Sequence, residues 1–89
     1  KLLLPHTGWN CLNLERESIL FRNIKNKTNF YFNHSYVITN VEKNFILSKT
    51  HYNVDFVSSV NKENIFGVQF HPEKSQSSGL VLLRNFLNL

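Results

Sequence analysis

The hydrophobic period of the chain changes once, near residue 75, and that change restricts what it can fold into. Upstream, Val54, Phe56 and Val57 lead through Ser58-Ser59-Val60 into the polar run Asn61-Lys62-Glu63-Asn64, and Ile65 to Phe70 returns. This pattern predicts a β-hairpin over 54–70 with a four-residue turn. Downstream, Leu80, Leu83 and Leu87, with Val81, Leu82, Phe86 and Leu89, recur at three- and four-residue spacing. That spacing predicts a closing helix buried on a broad face, with Ser77 or Ser78 capping its start. Seven of the last ten residues are apolar, more than one face of a solitary helix can hide, so this helix needs a sheet and neighbours. Phe30-Tyr31-Phe32, Tyr36-Val37-Ile38 and Phe45-Ile46-Leu47 read as further strands. A shorter helix is predicted over Glu15 to Ile24, where Ile19, Leu20 and Ile24 share a face. Turn-type residues punctuate Pro5 to Gly8, Asn26 to Asn29, Asn40 to Asn44, Asn61 to Asn64 and Ser75 to Gly79. Strands followed by a closing helix indicate α+β, or part of an α/β domain.

Eighty-nine residues suffice for one small domain and not for two. A chain of this size buries only about 60–65% of its unfolded surface, so independent stability is expected to be marginal. With 42% hydrophobic and 18% charged residues the composition is that of a globular chain, neither disordered nor membrane-spanning. No apolar run approaches the roughly 18–20 residues of a bilayer helix. The single cysteine excludes an internal disulfide framework and fits a reducing, cytoplasmic compartment. Residue 1 is Lys and the sequence contains no Met, so the chain is expected to be a piece of something longer. A net charge of +4 invites a nucleic-acid reading, but the basic residues are scattered singly apart from Lys25 and Lys27, as on an ordinary solvated surface. The sequons at Asn26 and Asn33 fit chance occurrence in an Asn-rich chain. His6, Cys11, His34, His51 and His71 have no metal-ligand spacing, so no metal is expected.

The densest chemistry lies in Gly67-Val68-Gln69-Phe70-His71-Pro72-Glu73-Lys74-Ser75. In an extended chain residues i and i+2 point to the same side, so His71 and Glu73 are expected to face one site. Pro72 restricts the residue before it to extended geometry. Glu73 can hold one ring nitrogen of His71 and fix its tautomer, leaving the other free to take a proton from a thiol or hydroxyl. On its own, a His-x-Glu is also what an ordinary surface pair at a strand end would show. A nucleophile is not evident. Cys11 follows Trp9-Asn10 with no glycine pair to form a tight elbow, and no Gly-x-Ser-x-Gly occurs. Cys11 is read as a packed, inert thiol.

The segment Gly67–Ser75 resembles the His/Glu segment of class I, triad-type glutamine amidotransferases. Pro5-His6-Thr7-Gly8-Trp9-Asn10 resembles the Pro-His-Met-Gly-Trp-Asn segment of one branch, with Thr7 in place of Met. Phe30-Tyr31-Phe32-Asn33-His34-Ser35-Tyr36 resembles its Tyr-Phe-Val-His-Ser-Tyr strand, with Asn33 in place of Val. The branch is that of the glutaminase subunits of imidazole glycerol phosphate synthase, in histidine biosynthesis, and the resemblance runs from Lys1 to the end.

The resemblance implies the C-terminal half of a single flavodoxin-like α/β domain over 1–89, with antiparallel strands and a C-terminal helix. His71 matches the triad base and Glu73 the residue that orients it. His34, Ser35 and Tyr36 match the segment lying against bound glutamine, and Trp9 and Asn10 the surface docking on a (β/α)₈-barrel synthase subunit in a heterodimer. Lys74 follows the triad as in the family. The family's cysteine lies upstream in a Gly-x-Cys-x-Gly elbow, a motif these 89 residues do not contain. The implied reaction is hydrolysis of glutamine to glutamate and ammonia, without cofactor, nucleic acid or membrane. Two alternatives remain open at the level of sequence: a paralogue supplying ammonia to a sugar-modifying synthase in surface-polysaccharide biosynthesis, and a non-catalytic interaction fragment lacking the nucleophile.

Overall fold

The computed structural model describes residues 4–89. Phe30, Phe32 and His34 are buried and alternate with the less buried Tyr31 and Asn33, the period-two pattern that makes a half-buried strand. This strand, β3 (Asn29–His34), pairs antiparallel with β1 (His6–Cys11) over its full length, His6 opposite His34 and Cys11 opposite Asn29. Gly8 carries a φ of +128°, a conformation a side chain would strain. The second sheet is also antiparallel, in the order β2 (Asn13–Leu14), β4 (Ile46–Tyr52), β5 (Val54–Lys62), β6 (Ile65–Val68). One helix, α1 (Gln76–Leu87), closes the chain. The core lies among these layers, built on Leu12, Leu20, Phe21, Phe30, Phe32, Leu47, Phe56, Phe70 and Leu82. Antiparallel strands with one C-terminal helix are the architecture expected for this part of an α/β amidotransferase domain.

Several elements depart from the sequence reading, each for a visible reason. The helix expected over 15–24 is a single 3₁₀ turn, Ile19–Phe21. The Glu15 backbone N–H is committed to Leu47 O at 2.7 Å, and Ser18 Oγ accepts from Leu20 N at 3.1 Å and starts the turn late. Tyr36–Ile38 does not form a strand and keeps only the isolated pairing of Ile38 with Val57, because His34 Nδ1 binds Tyr36 O at 2.8 Å and folds the backbone over. Pro5–Gly8 is not a turn: β1 begins at His6, since that register buries the imidazole. Phe45 ends a 3₁₀ turn, Lys43–Phe45, and the strand starts at Ile46. The hairpin reverses over Glu63 and Asn64 alone, with Lys62 still paired to Ile65. Asn61 Nδ2 braces this tighter turn by donating to Glu63 O and Ile65 O, and Glu63 takes a φ of 56°.

The helix begins one to two residues before either expected cap, and its flanking residue, Ser75, makes no side-chain cap. Only Gly79 and Leu82 are buried on α1. Leu80, Leu83, Phe86, Leu87 and Leu89 are exposed, so the broad buried face is not filled by the described residues. Asn85 fixes the helix by donating to Leu20 O at 2.9 Å and Arg22 O at 2.7 Å.

Candidate active site

His71 and Glu73 come together, though not as two residues of one strand. β6 ends at Val68, and Glu73 belongs to a 3₁₀ turn, Pro72–Lys74, for which His71 is the flanking residue. Proline supplies the φ for the first position of such a turn. The turn brings Glu73 Oε2 to 2.9 Å from His71 Nδ1. The expected same-side relation of two extended residues is thus replaced by the curl of one helical turn. Hydrogen bonding, from the His71 ring first and from a backbone N–H second, holds the Glu73 carboxyl below the usual carboxylate range. An ionised carboxylate only accepts, so the ring proton sits on Nδ1. Nε2 is the nitrogen left to exchange a proton with a reacting group, and it lies 3.3 Å from Asn33 O, an acceptor it can bond only when protonated. A proton taken up at Nε2 would find that carbonyl in front of it.

The backbone around His71 is fastened to β3. His71 N–H donates to Tyr31 O at 2.8 Å. Ser75 Oγ donates to His71 O at 2.6 Å and accepts from Tyr31 N–H at 2.9 Å. Ser75 is 1% exposed, so its hydroxyl is a buried rivet between the turn and the strand. On the other side, α1 presses its backbone against the turn: a Cβ placed on Gly79 would lie 1.8 Å from Pro72 O. Neither residue was singled out by the sequence reading. The available signal was Gly79 itself, since glycine in a helix interior costs about 1 kcal/mol relative to alanine and calls for a close approach in return.

The remaining candidates are more dispersed. His34 ends β3 and is buried, while Ser35 and Tyr36 follow it outside the strand, with the Tyr36 side chain 84% exposed. Trp9 is half exposed and meets the Tyr31 ring edge-on at 6.0 Å. Asn10 is tied down, its Nδ2 donating to His51 O at 2.9 Å and its Oδ1 accepting from Cys11 N–H at 2.8 Å. Lys74 is exposed at the end of the Pro72–Lys74 turn. Cys11 is a half-buried free thiol opposite Asn29. His6, given no role in the sequence beyond its place in the Pro5–Asn10 segment, is buried against His34 with Nδ1 to Nε2 at 2.9 Å. Burial, then the neighbouring His34, lowers its pKa from the usual imidazole value. A surface hollow of about 740 Å³ is lined by residues between Leu14 and Ile24 and includes none of the candidates. Side-chain geometry rather than cavity size therefore marks the site.

Residues 2–89 match the family described as glutamine amidotransferase class-I. The chain belongs to the class I glutamine amidotransferase family. Among curated relatives it is similar to the imidazole glycerol phosphate synthase subunit HisH of Pelagibacter ubique, 53% identical over 89 residues, all of this chain and 43% of that protein. The subunit HisH of Pyrococcus furiosus is 54% identical over 86 residues, 96% of this chain and 44% of that protein. That of Buchnera aphidicola from Acyrthosiphon pisum is 49% identical over 88 residues, 99% and 44% respectively. The chain thus spans less than half the length of the curated relatives it matches.

Proposed function

We propose that the protein containing this chain is a glutaminase subunit of imidazole glycerol phosphate synthase, with His71 as its general base and acid and Glu73 as the residue that orients it. The observation that carries the reading is the 2.9 Å contact between His71 Nδ1 and Glu73 Oε2. The names of the relatives, imidazole glycerol phosphate synthase subunit HisH, support the branch. A cysteine in a Gly-x-Cys-x-Gly elbow, outside these 89 residues, is the nucleophile. His71 Nε2 takes the proton of its thiol, the thiolate attacks the side-chain amide carbon of glutamine, and Nε2 delivers that proton to the departing ammonia. Nε2 then draws a proton from water, which cleaves the thioester and releases glutamate. Glu73 keeps the Nδ1–H tautomer throughout and faces the imidazolium when it forms.

Ser35, Tyr36 and the end of β3 hold the glutamine, chiefly through backbone groups. Trp9 and Asn10 lie on the face that docks a (β/α)₈-barrel synthase subunit, which receives the ammonia in a cytoplasmic heterodimer. The test is His71→Ala in the complete protein with its synthase partner, read as glutamate release. Turnover is expected to fall by at least about 10⁴-fold. A variant that still turns over at a tenth of the wild-type rate removes His71 from the mechanism.

A further inference from the structure

Two imidazoles, His6 and His34, are buried at 3% and 8% exposure in an aromatic cage. The His6 ring stacks on Tyr52 at 4.0 Å and on Phe32 at 4.8 Å, and the Phe56 ring lies 5.7 Å from His6 and 5.2 Å from His34. A phenylalanine would fill this space without the cost of desolvating polar nitrogens, so the nitrogens call for a role.

Their hydrogen bonds have one direction, fixed from both ends. His34 Nδ1 lies 2.8 Å from Tyr36 O. A carbonyl only accepts, so Nδ1 carries the proton and His34 Nε2 is bare. His6 Nδ1, 2.9 Å away, must then donate to it, which leaves His6 Nε2 bare in turn. The Asn10 side-chain amide faces that nitrogen at 3.4 Å with Nδ2, and the contacts with His51 O and Cys11 N–H set which end of the amide is the donor. The chain runs from Asn10 through two neutral rings to the Tyr36 carbonyl. Among the described residues this is the one side-chain hydrogen bond on the backbone of 35–37.

We propose that His6 and His34 are positioning residues, whose directed hydrogen-bond chain holds the Tyr36 carbonyl and with it the Ser35–Tyr36 backbone where glutamine binds. The proposal rests on the glutaminase reading above. His34 grips the segment, and His6 holds His34 in the tautomer that can grip it.

The test uses the complete protein with its synthase partner and compares two variants that differ in where an amide donor sits. In His34→Asn an N–H falls near the place of Nδ1. In His34→Gln it falls near Nε2, and the bond to Tyr36 is lost. His34→Gln is expected to raise KM for glutamine about tenfold, the worth of one lost hydrogen bond in ground-state binding, with kcat within about threefold. His34→Asn is expected to stay within about threefold of wild type in both. Imidazole ¹⁵N spectra of the wild type are expected to show both rings as Nδ1–H tautomers, a signature that a space-filling role would not require. Equal KM in the two variants, or an Nε2–H tautomer at His34, overturns the proposal. Should either variant fail to fold, His6→Phe, which keeps the stack but frees the His34 tautomer, takes its place, and an unchanged KM overturns the proposal equally. A wild type without glutaminase activity overturns both readings, whereas an active wild type with insensitive variants overturns only this one.

Discussion

Gly79→Ala adds a single methyl group, and the structure makes that methyl group costly. The new Cβ would lie 1.8 Å from Pro72 O and 2.8 Å from Pro72 C. Relief requires α1 and the Pro72–Lys74 turn to part by about 1.6–2.2 Å to reach ordinary contact distances. The atoms that would be struck are backbone, so no side-chain rotation absorbs the overlap. Alanine gains about 1 kcal/mol over glycine in helix propensity, set against about 1–3 kcal/mol for overpacking a filled site. The net effect on stability is therefore small, a loss of about 0–2 kcal/mol, and the complete protein stays folded. The effect on activity is large, because the turn that moves carries Glu73 and is flanked by His71. A displacement of about 1 Å in a catalytic constellation costs on the order of 10²-fold in rate. The assay is glutamate release by the complete protein with its partner, alongside thermal unfolding of the same samples. The expected result is kcat down by about 10²-fold with a melting temperature only a few degrees lower. A variant more stable than wild type with kcat within about threefold would refute the reasoning, since the helix would then not be seated against the turn.

Three further outcomes follow from the same geometry. Ser75→Ala leaves Tyr31 N–H and His71 O without their shared hydroxyl and is expected to cost about 1–3 kcal/mol, measured by chemical denaturation; a cost below about 0.5 kcal/mol would dismiss the rivet. The Glu73 carboxyl is expected to titrate below 4.5 in the folded protein and to return toward 4.5 in His71→Phe, followed by side-chain carboxyl NMR. Because its folded pKa is depressed, whatever it adds to stability is present above its unfolded pKa and fades as pH falls through the folded value; a midpoint indifferent to the His71 substitution contradicts the pairing. Cys11→Ser is expected to leave kcat/KM for glutamine within about twofold, and an inactive but folded variant would reopen Cys11 as a candidate nucleophile.

What was legible in the sequence is what depends on residues close together in the chain. Phe30-Tyr31-Phe32 declares its strand by its run of aromatic residues, and Leu80, Leu83 and Leu87 declare their helix by period. His71 and Glu73, two residues apart, meet as expected, although the geometry that joins them is a 3₁₀ turn and not an extended strand. What was illegible is set by partners distant in sequence. Ile19, Leu20 and Ile24 have helical spacing, yet Glu15 is drawn into the sheet by Leu47, and local pattern cannot report a competing ladder. Pro5–Gly8 has the composition of a turn, but pairing with 32–34 makes it a strand from His6 onward. His6 and His34, 28 residues apart, become a pair only once that register is known. Ser75 gave no sign of spanning from the turn to Tyr31, 44 residues away.

These distant contacts converge on β3, and that gives the strand more responsibility than its six residues suggest. It supplies Tyr31 O and Tyr31 N–H to fasten the turn, Asn33 O to face His71 Nε2, and His34 to hold Tyr36. Tyr31 and Asn33 point to one face of the strand and Phe30, Phe32 and His34 to the other. Burying the second set therefore fixes the first. A slip of one residue would turn Phe30, Phe32 and His34 to solvent. The same slip would take Tyr31 and Asn33 off the Pro72–Lys74 turn and the imidazole away from His6. Full-length pairing with β1 opposes such a slip at every step from His6 to Cys11. The hydrophobic burial that makes the fold is thus also what sets the distance between His71 and the segment proposed to meet glutamine.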